Sequence, residues 1–455
     1  MKHDVEGNMF RFVWLGICLL GVPAVAADWP QWRGPEGQGH APTARDLPNQ
    51  WKIGPPGKEV AGGDNIQWRT EIPGRAWSSA MIVDDVVWLT TALEHGVGNE
   101  GPPPPGAKKP QPRSVAASVT FRALAIDRKD GEILHDLELF SVDNPQPTHV
   151  LNSFASPSPV IGSSYLYCQF GDYGTACVDI KKASLVWHNR SQRLNHENGP
   201  GSSPVLWKDL LIFHCDGSDV QYVVALDRKT GEEVWRTDRS GEMNDNPEMK
   251  KSYGTPLVTS VGGRDVLLSP ASDWLYGYDP KTGNELWKVK YGILGFSIVP
   301  RPVVVDEVAY ISTSFMKTEL LALQLGPTET TQPQILWRYK RSVPRMPSPL
   351  LVGDAVYLFS DKGIATCLDK VTGEARWTGR LGGSFSSSPI LADGKIYVGN
   401  REGEMFVIKP GNELDILTKN DFEEAIMASP AAIDNSLYVR TDKAMYRIEK
   451  TDAKQ

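Results

Sequence analysis

Residues 225–235 read ALDRKTGEEVW, and the same pattern returns as GYDPKTGNELW at 277–287 and as CLDKVTGEARW at 367–377. Weaker copies are CVDIKKASLVW at 177–187 and AIDRKDGEIL, which starts at Ala125. In four of these copies the spacing from the aspartate to the tryptophan is identical. A period of about 40–50 residues is typical of propeller blades and of other repeat arrays. The chain is therefore expected to consist of repeated supersecondary units.

A second periodic signal, a small or polar residue followed by proline, precedes the copies. The pairs are Ser158-Pro159, Ser203-Pro204, Thr255-Pro256, Arg301-Pro302, Ser348-Pro349, Ser388-Pro389 and Ser429-Pro430. Ser79-Ala80 holds the same place in the first unit, which makes eight units. Within a unit, turn residues separate four short strands, and the D-x-x-T-G turn suits a tight hairpin. The sequence thus predicts an all-β fold, an eight-bladed β-propeller of four-stranded antiparallel blades.

The A-x-D-x-x-T-G-x-x-x-W repeat resembles that of pyrroloquinoline-quinone-like β-propellers. This family includes quinoprotein alcohol dehydrogenases and the propeller lipoprotein of the outer-membrane β-barrel assembly machinery. The resemblance spans residues 66–450, and DWPQWRG at 28–34 resembles the start of exported members. In the family, the repeat tryptophan packs between neighbouring blades against a turn glycine. The resemblance implies this structural, blade-docking role for Trp68, Trp187, Trp235, Trp287, Trp337 and Trp377.

The start of the chain has the pattern of a signal peptide, which we assign to residues 1–26. The apolar run FVWLGICLLGV at 12–22 is followed by an A-x-A cleavage pattern and is too short to span a bilayer, which takes about 20 residues. The protein is therefore expected to be exported, to the periplasm or outside the cell. Residues 27–64 are an N-terminal arm, and residues 65–450 are the propeller.

The last repeat, residues 429–450, supplies only three strands. NIQWRTEI at 65–72 is an unpaired strand pattern, so we expect it to complete the last blade and close the ring, which removes the exposed sheet edges. A proline-rich insertion at 92–118 lies in the B–C loop of blade 1. It is either a solvated, disordered insertion or an extended ligand for a partner.

Three long loops around blade 3 carry the candidate binding residues, on the face opposite the D-x-x-T-G turns. The loops are residues 188–202, 214–222 and 238–253. The candidates are Asn195, His196, Glu197, Asn198, Asp216, Asp219, Asn244, Asp245, Lys250 and Lys251. Carboxylate and amide oxygens at this density suit Ca²⁺. The alternative is that these side chains satisfy the loop backbones, and the sequence supports no firm metal site.

Export permits disulfides, and one candidate pair lies in the hairpin YLYCQFGDYGTACVDI at 165–180. If Asp172 and Tyr173 are the two turn residues, Cys168 and Cys177 are directly opposite each other and a disulfide fits. The alternative is a pair of free, buried thiols, because Cys177 occupies the repeat position that Ala225 holds in another copy.

The composition and the absence of certain motifs argue against several classes of function. The net charge of −7, with no block of Lys and Arg, argues against nucleic-acid binding. Beyond residues 12–22 no apolar run is long enough for a membrane span, and we expect a monomer. The H-E-x-x-H, Walker and G-x-S-x-G patterns are absent, which removes support for zinc proteases, P-loop enzymes and α/β-hydrolases.

Three functions remain. The first is a non-catalytic scaffold that binds an envelope protein or polymer. The second is an enzyme, for instance a glycan-directed one, with its site in the loops around blade 3. The third, which the resemblance implies, is an oxidoreductase using pyrroloquinoline quinone and Ca²⁺. The resemblance also implies a disulfide between adjacent cysteines beside the quinone, and no two cysteines are adjacent here. We therefore expect the scaffold and no cofactor.

Overall fold

The computed structural model describes residues 28–53, 65–98, 112–292, 296–326, 328 and 331–451, together with Met1. The predicted signal peptide, apart from Met1, and residues 99–111 of the insertion lie outside this part of the chain. The described residues form eight four-stranded antiparallel sheets, one of them extended by a fifth strand. Contacts between inner strands join neighbouring sheets around a ring. The predicted eight-bladed propeller is confirmed.

Each blade has strands A to D, counted from the axis outward. Blade 1 consists of β3 (Met81–Val83), β4 (Val86–His95), β6 (Ser118–Asp127) and β7 (Ile133–Asp143), and blade 2 of β9 (Val160–Gly162), β10 (Tyr165–Gln169), β11 (Thr175–Asp179) and β12 (Ser184–Asn189). Blade 3 consists of β13 (Val205–Trp207), β14 (Leu210–Asp216), β15 (Gln221–Asp227) and β16 (Glu233–Asp238), and blade 4 of β17 (Leu257–Val261), β18 (Arg264–Pro270), β19 (Trp274–Tyr278) and β20 (Glu285–Lys290). Blade 5 consists of β21 (Val303–Val305), β22 (Val308–Ser312), β23 (Leu320–Gln324) and β24 (Gln334–Tyr339), and blade 6 of β25 (Leu350–Val352), β26 (Ala355–Phe359), β27 (Ile364–Asp369) and β28 (Ala375–Arg380). Blade 7 consists of β29 (Ile390–Ala392), β30 (Lys395–Gly399), β31 (Glu404–Lys409) and β32 (Asp415–Asp421), and blade 8 of β33 (Ala431–Ile433), β34 (Ser436–Arg440), β35 (Ala444–Glu449) and β2 (Ile66–Glu71).

The remaining elements are short. Strand β1 (His40–Ala41) pairs in parallel with β29, and β5 (Arg113–Ser114) pairs with β8 (Thr148–His149). The 3₁₀ helices are η1 (Gly171–Tyr173) and η2 (Pro247–Lys250). Because β4 runs to His95 and β6 begins at Ser118, both ends of the predicted insertion at 92–118 belong to strands of blade 1.

The ring closes as predicted. Strand β2 pairs antiparallel with β35, and Trp68 lies opposite Arg447. The first propeller strand therefore completes the last blade, so the blade 8 sheet gains its outer strand from residues that precede blade 1.

A circle of hydroxyl groups ties the blades together at the axis. The backbone N–H at the start of one blade donates to the hydroxyl of the equivalent residue in the next. The bonds run from Ser79 to Ser158, Ser158 to Ser203, Ser203 to Thr255, Arg301 to Ser348, Ser348 to Ser388, Ser388 to Ser429 and Ser429 to Ser79, with N···O distances of 2.8–3.1 Å. Arg301 interrupts the series, and its Nε donates to the Pro256 carbonyl at 3.1 Å instead. These are the residues of the proline-linked signal, which accordingly marks the innermost contacts of the ring.

At the periphery, the repeat tryptophans contact the next blade. The Trp235 indole N–H donates to the Pro280 carbonyl at 3.2 Å, and a Cβ added to Gly283 would lie 2.5 Å from the ring. Within its own blade, Trp235 lies opposite the small residue Ala225, beside a register shift. The same N–H bond to a carbonyl of the following blade is made by Trp68, Trp187, Trp287, Trp337 and Trp377.

Of the two alternatives for Cys168 and Cys177, the structure supports the free, buried thiols and not the disulfide. Tyr167, and not Cys168, lies opposite Cys177, because η1 makes the β10–β11 connection longer than a two-residue turn. Cys168 is opposite Ala176, so the two cysteines point to different faces of the sheet, and both are free and buried. Cys177 lies opposite Trp187, as a small packing residue beneath the indole.

Candidate functional site

A cavity of about 620 Å³ lies at the axis, on the face of the B–C loops and the connections between blades. Five members of the hydroxyl circle line it at its inner end: Ser79, Ser158, Ser203, Thr255 and Ser429. Its wall also contains polar and charged side chains and a set of aromatic and sulfur-containing ones: Trp32, Trp77, Tyr253, Phe296, Phe315, Met346 and Met427. The volume is within the range of small-molecule sites.

The N-terminal arm passes beneath this cavity and crosses the ring. Its backbone pairs with Ile82 of blade 1, while the Trp32 indole N–H donates to the Ser429 hydroxyl at 3.2 Å. Arg33 donates to the Pro349 carbonyl of blade 6 at 2.7 Å, and β1 continues the arm along blade 7. The arm therefore forms part of the floor of the cavity.

Basic side chains around the cavity have few acidic partners. Arg33 and Arg301 are 1% and 2% exposed, and within the described residues neither contacts a carboxylate. Burial lowers the pKa of each guanidinium to about 9, and the charge of Arg301 contributes at Arg33. Arg345 and Arg401 line the wall and make no ion pair with a described residue. The axis therefore carries positive charge in a chain whose net charge is −7.

The loops around blade 3 do come together, but their strongest charges are paired internally. Asp216 accepts two bonds from Arg239, at 2.7 and 3.0 Å, and both side chains are fully buried. Arg239 also donates to Ser269, whose hydroxyl lies 2.8 Å from His214 Nε2. Asp216 is thus neutralised inside blades 3 and 4.

A second buried ion pair joins Glu197 to Lys251. Between this pair and blade 2 lies His196, whose Nδ1 accepts the Gly199 N–H at 3.2 Å. Burial and the charge of Lys251 lower the pKa of His196 to about 3, so its ring is neutral. Of the predicted candidates, only Lys251 and Asn198 line the central cavity.

Some of the other candidates accept hydrogen bonds from the loop backbones, and the rest lie beside these loops. The Asp219 carboxylate accepts the Asn195 N–H at 2.7 Å and the Val220 N–H at 2.9 Å. Asn244 accepts the Asn246 N–H at 2.9 Å. Of the two remaining candidates, Asp245 is exposed and Lys250 ends η2 half-buried.

The residues present do not fit a Ca²⁺–quinone pair. Ca²⁺ takes six or more oxygens, and the two buried carboxylates of the loops, Glu197 and Asp216, are each occupied by a cation. In the part of the chain that the structure describes, no three His, Cys, Asp or Glu side chains come together as metal ligands. None of the four described cysteines lines the cavity. Quinone chemistry is therefore not assigned to this cavity.

Sequence reasoning missed the side chains that give the cavity its character. Trp32 and Arg33 come from the arm, and Arg301, Arg345 and Arg401 come from three separate places in the chain. Arg301 had a detectable signal, because it replaces a hydroxyl residue in an otherwise regular proline-linked series. The others follow no repeat, so their meeting at the axis is visible only in the folded ring.

Fold and repeat together define this chain as a pyrroloquinoline-quinone-like β-propeller. A family model described as outer membrane protein assembly factor BamB matches residues 219–455, which is more than half of the chain. The protein belongs to that family. In the described residues no helix is both long enough and apolar enough to cross a membrane.

Individual relatives are distant. The chain is 29% identical over 161 residues to outer membrane protein assembly factor BamB of Shewanella oneidensis, covering 34% of this chain and 38% of the relative. It is 24% identical over 199 residues to the protein of the same name of Legionella pneumophila, covering 43% and 50%. The chain thus spans half or less of the length of these two relatives.

Solved structures share the fold at low sequence identity. BamB from Moraxella catarrhalis is 15% identical with a TM-score of 0.53, covering 81% of this chain and 99% of that one. A europium-containing methanol dehydrogenase is 10% identical with a TM-score of 0.62, covering 92% and 90%. At these identities both show the propeller architecture and nothing about activity.

Proposed function

We propose that this protein is an exported, non-catalytic scaffold that binds a protein of outer-membrane protein assembly. The observation that carries the proposal is the match of residues 219–455 to the assembly-factor family. The buried ion pairs of the blade 3 loops support it, because charges that neutralise each other serve the fold and are poorly placed to act on a substrate. The cell envelope is the location that this role requires.

The cavity face is the surface we assign to the partner. Leu151, in the blade 1–2 connection, lines the cavity and is 39% exposed, and Met316, in the B–C loop of blade 5 next to the cavity-lining Phe315, is 60% exposed. Exposed apolar side chains beside an aromatic-lined opening are typical of protein-binding surfaces. The turn face of the ring offers mainly charged turns, although Val371 is 71% exposed there.

Affinity capture from an envelope extract tests the proposal. The immobilised wild type should retain a protein of outer-membrane assembly, identified by mass spectrometry. The double variant Leu151→Asp/Met316→Asp should reduce the captured amount by about tenfold, because it places two charges in an apolar interface. Both side chains are exposed, so the variant should fold.

Val371→Asp is the matched control, since it changes an exposed apolar residue on the opposite face. It should leave capture unchanged. Equal loss with both variants, or capture of envelope proteins unrelated to assembly, would refute the proposed surface and role.

The quinoprotein alternative rests on fold similarity to dehydrogenases. Adding pyrroloquinoline quinone and Ca²⁺ and assaying alcohols and sugars with a dye acceptor should give no saturable reduction. Ca²⁺-dependent turnover that is lost in Glu197→Gln would establish the enzyme instead.

A further inference from the structure

The hydroxyl groups of the circle act as hydrogen-bond acceptors between blades, and their capacity to donate hydrogen bonds is left over. Each oxygen accepts a backbone N–H from the preceding blade, and Ser429 also accepts the Trp32 indole N–H. A hydroxyl is both donor and acceptor, so each group still has an O–H to donate. Among the described residues, none of the five hydroxyls that line the cavity donates a hydrogen bond to protein.

These five residues are at least nine-tenths buried, and they converge on one inner end of one cavity. Buried donors need acceptors, and leaving a donor unpaired costs about 1–3 kcal/mol. A group with several acceptor oxygens would meet more than one of the five at once. A carboxylate is such a group, because it accepts hydrogen bonds at both oxygens.

The surrounding charge has the matching sign. Lys362, Arg345 and Arg401 line the cavity without an ion pair to a described residue, and Arg33 and Arg301 lie buried beneath its floor without one. The acidic side chains on its wall are Glu248 and Asp361, and Asp361 already accepts the Arg345 backbone N–H at 2.6 Å. The guanidinium of Arg345 lies 5.3 Å from the centre of the Phe315 ring. Positive charge within low-dielectric walls attracts and concentrates anions.

Polar side chains such as Asn152, Asn198 and Ser386 also line the wall, but a large part of it is apolar. Trp77, Phe296 and Phe315 line the cavity together with Met346 and Met427. A bare inorganic anion would leave these surfaces in contact with water. An apolar body attached to the anion would cover them.

We propose that the central cavity binds an organic carboxylate, with the charged group at the hydroxyl circle and an aromatic or aliphatic body against the aromatic wall. The ligand is either a free organic acid or an acidic segment of a polypeptide, because the two present the same chemistry. The inference does not depend on the scaffold role, since it concerns a pocket inside the ring and not the surface around its mouth.

Isothermal titration of the full exported chain tests this with matched probes. One arm compares 2-naphthoate with the neutral 2-naphthamide. The other compares the blocked peptide acetyl-Gly-Asp-Phe-Gly-amide with its Asn counterpart. In at least one arm the carboxylate should bind about tenfold tighter than its neutral partner, because hydrogen bonds to a charged group are the stronger ones. The arm that shows this preference identifies the source of the carboxylate.

Three variants locate the site. Arg401→Gln should weaken carboxylate binding about tenfold and Lys362→Gln about threefold, because each removes a charge that faces the cavity. Arg380→Gln removes the same charge from the exposed outer strand β28 and should have no effect. Lys362 is exposed, so its variant keeps the test valid even if Arg401→Gln fails to fold. Equal affinity of acid and amide in both arms, no binding of any probe, or equal weakening by Arg380→Gln would overturn the proposal.

Discussion

The two faces of the ring are built in different ways. On the turn face, one device recurs: Asp227 accepts the N–H groups of Lys229 and Thr230, and Asp369 accepts those of Val371 and Thr372. These bonds join residues two or three apart in sequence. On the cavity face the described loops differ in length and sequence, and Asp216 and Glu197 pair with cations 23 and 54 residues away.

The difference separates local from tertiary stabilisation. The turn-face bonds form within a hairpin, so any copy of the motif can make them, and the surrounding solvent screens their charges. The hydrogen bond from Arg376 and the turn N–H groups lower the pKa of Asp369, whose carboxylate stays in contact with solvent. The cavity-face pairs are buried, so each depends on the assembled ring, and removal of either partner leaves a charge without compensation. The following predictions measure this contrast.

Loss of ring closure should have the largest effect. Deleting residues 1–72 removes β2 together with the arm beneath the cavity, which leaves β35 as an open edge. The protein should then aggregate instead of folding as a monomer, as measured by size-exclusion chromatography with light scattering. Deleting residues 1–27 keeps both elements and should give a folded monomer. A monodisperse, cooperatively melting 1–72 deletion would show that closure is dispensable.

Removing a blade-docking tryptophan should destabilise the ring strongly. Trp235→Ala removes an indole that is 8% exposed and should lower the free energy of unfolding by about 3–5 kcal/mol. Val234→Ala, at the neighbouring residue that is 52% exposed, is the control and should change it by no more than about 0.5 kcal/mol. Urea unfolding monitored by circular dichroism measures both. Equal effects of the two variants would contradict the docking role.

Breaking the buried pair on the cavity face should approach the same magnitude. Asp216→Ala leaves Arg239 buried and unpaired and should cost about 3–5 kcal/mol. The double variant Asp216→Ala/Arg239→Met removes both charges and should recover part of that loss. If the loss of stability in the double variant equalled the sum of the losses in Asp216→Ala and in Arg239→Met alone, the pair would not be coupled.

Acid should weaken the cavity face through His196. The pKa of this buried ring is lowered to about 3, against 6.5 for an ordinary histidine. Between these values the unfolded chain binds a proton that the folded chain does not, so stability falls as pH falls. His196→Gln should remove up to about a tenfold change in the unfolding equilibrium per pH unit in this window. Unfolding curves from pH 7 to 4 measure the slope, and the exposed His135→Gln should leave it unchanged; a slope identical in all three proteins would refute the assignment.

The smallest effect should come from the turn face. Arg376 bonds Asp354 and Asp369 at 2.6–2.9 Å, yet Asp354 is exposed and the other two side chains remain accessible to solvent. Arg376→Gln should leave the melting temperature unchanged within error, because exposed ion pairs contribute little. A clear drop in the melting temperature would show that the two faces are less different than their burial indicates.

Features that are repeated in every blade could be predicted from the sequence, whereas features that occur once in the chain could not. The blade count, the order of strands and the closing role of Trp68 followed from spacing, because each depends on signals repeated along the chain. The Cys168–Cys177 register was wrong by one residue because it assumed a two-residue turn where a 3₁₀ turn stands. The blade 3 loops were correctly placed as neighbours, but their pairing into buried ion pairs depends on distances that no spacing encodes.

The repeated signals along the chain are enough to specify a closed eight-bladed ring, since the periodic Asp, Gly, Trp and Ser-Pro positions each specify a local bond or a contact with the next copy. Only the tertiary structure decided that Trp32 and Arg33 of the arm lie at the axis beside Arg301, and that five hydroxyl groups face one cavity. The physical reason is that a ring brings one residue from every blade to a common centre. Residues far apart in sequence therefore meet there without any pattern between them.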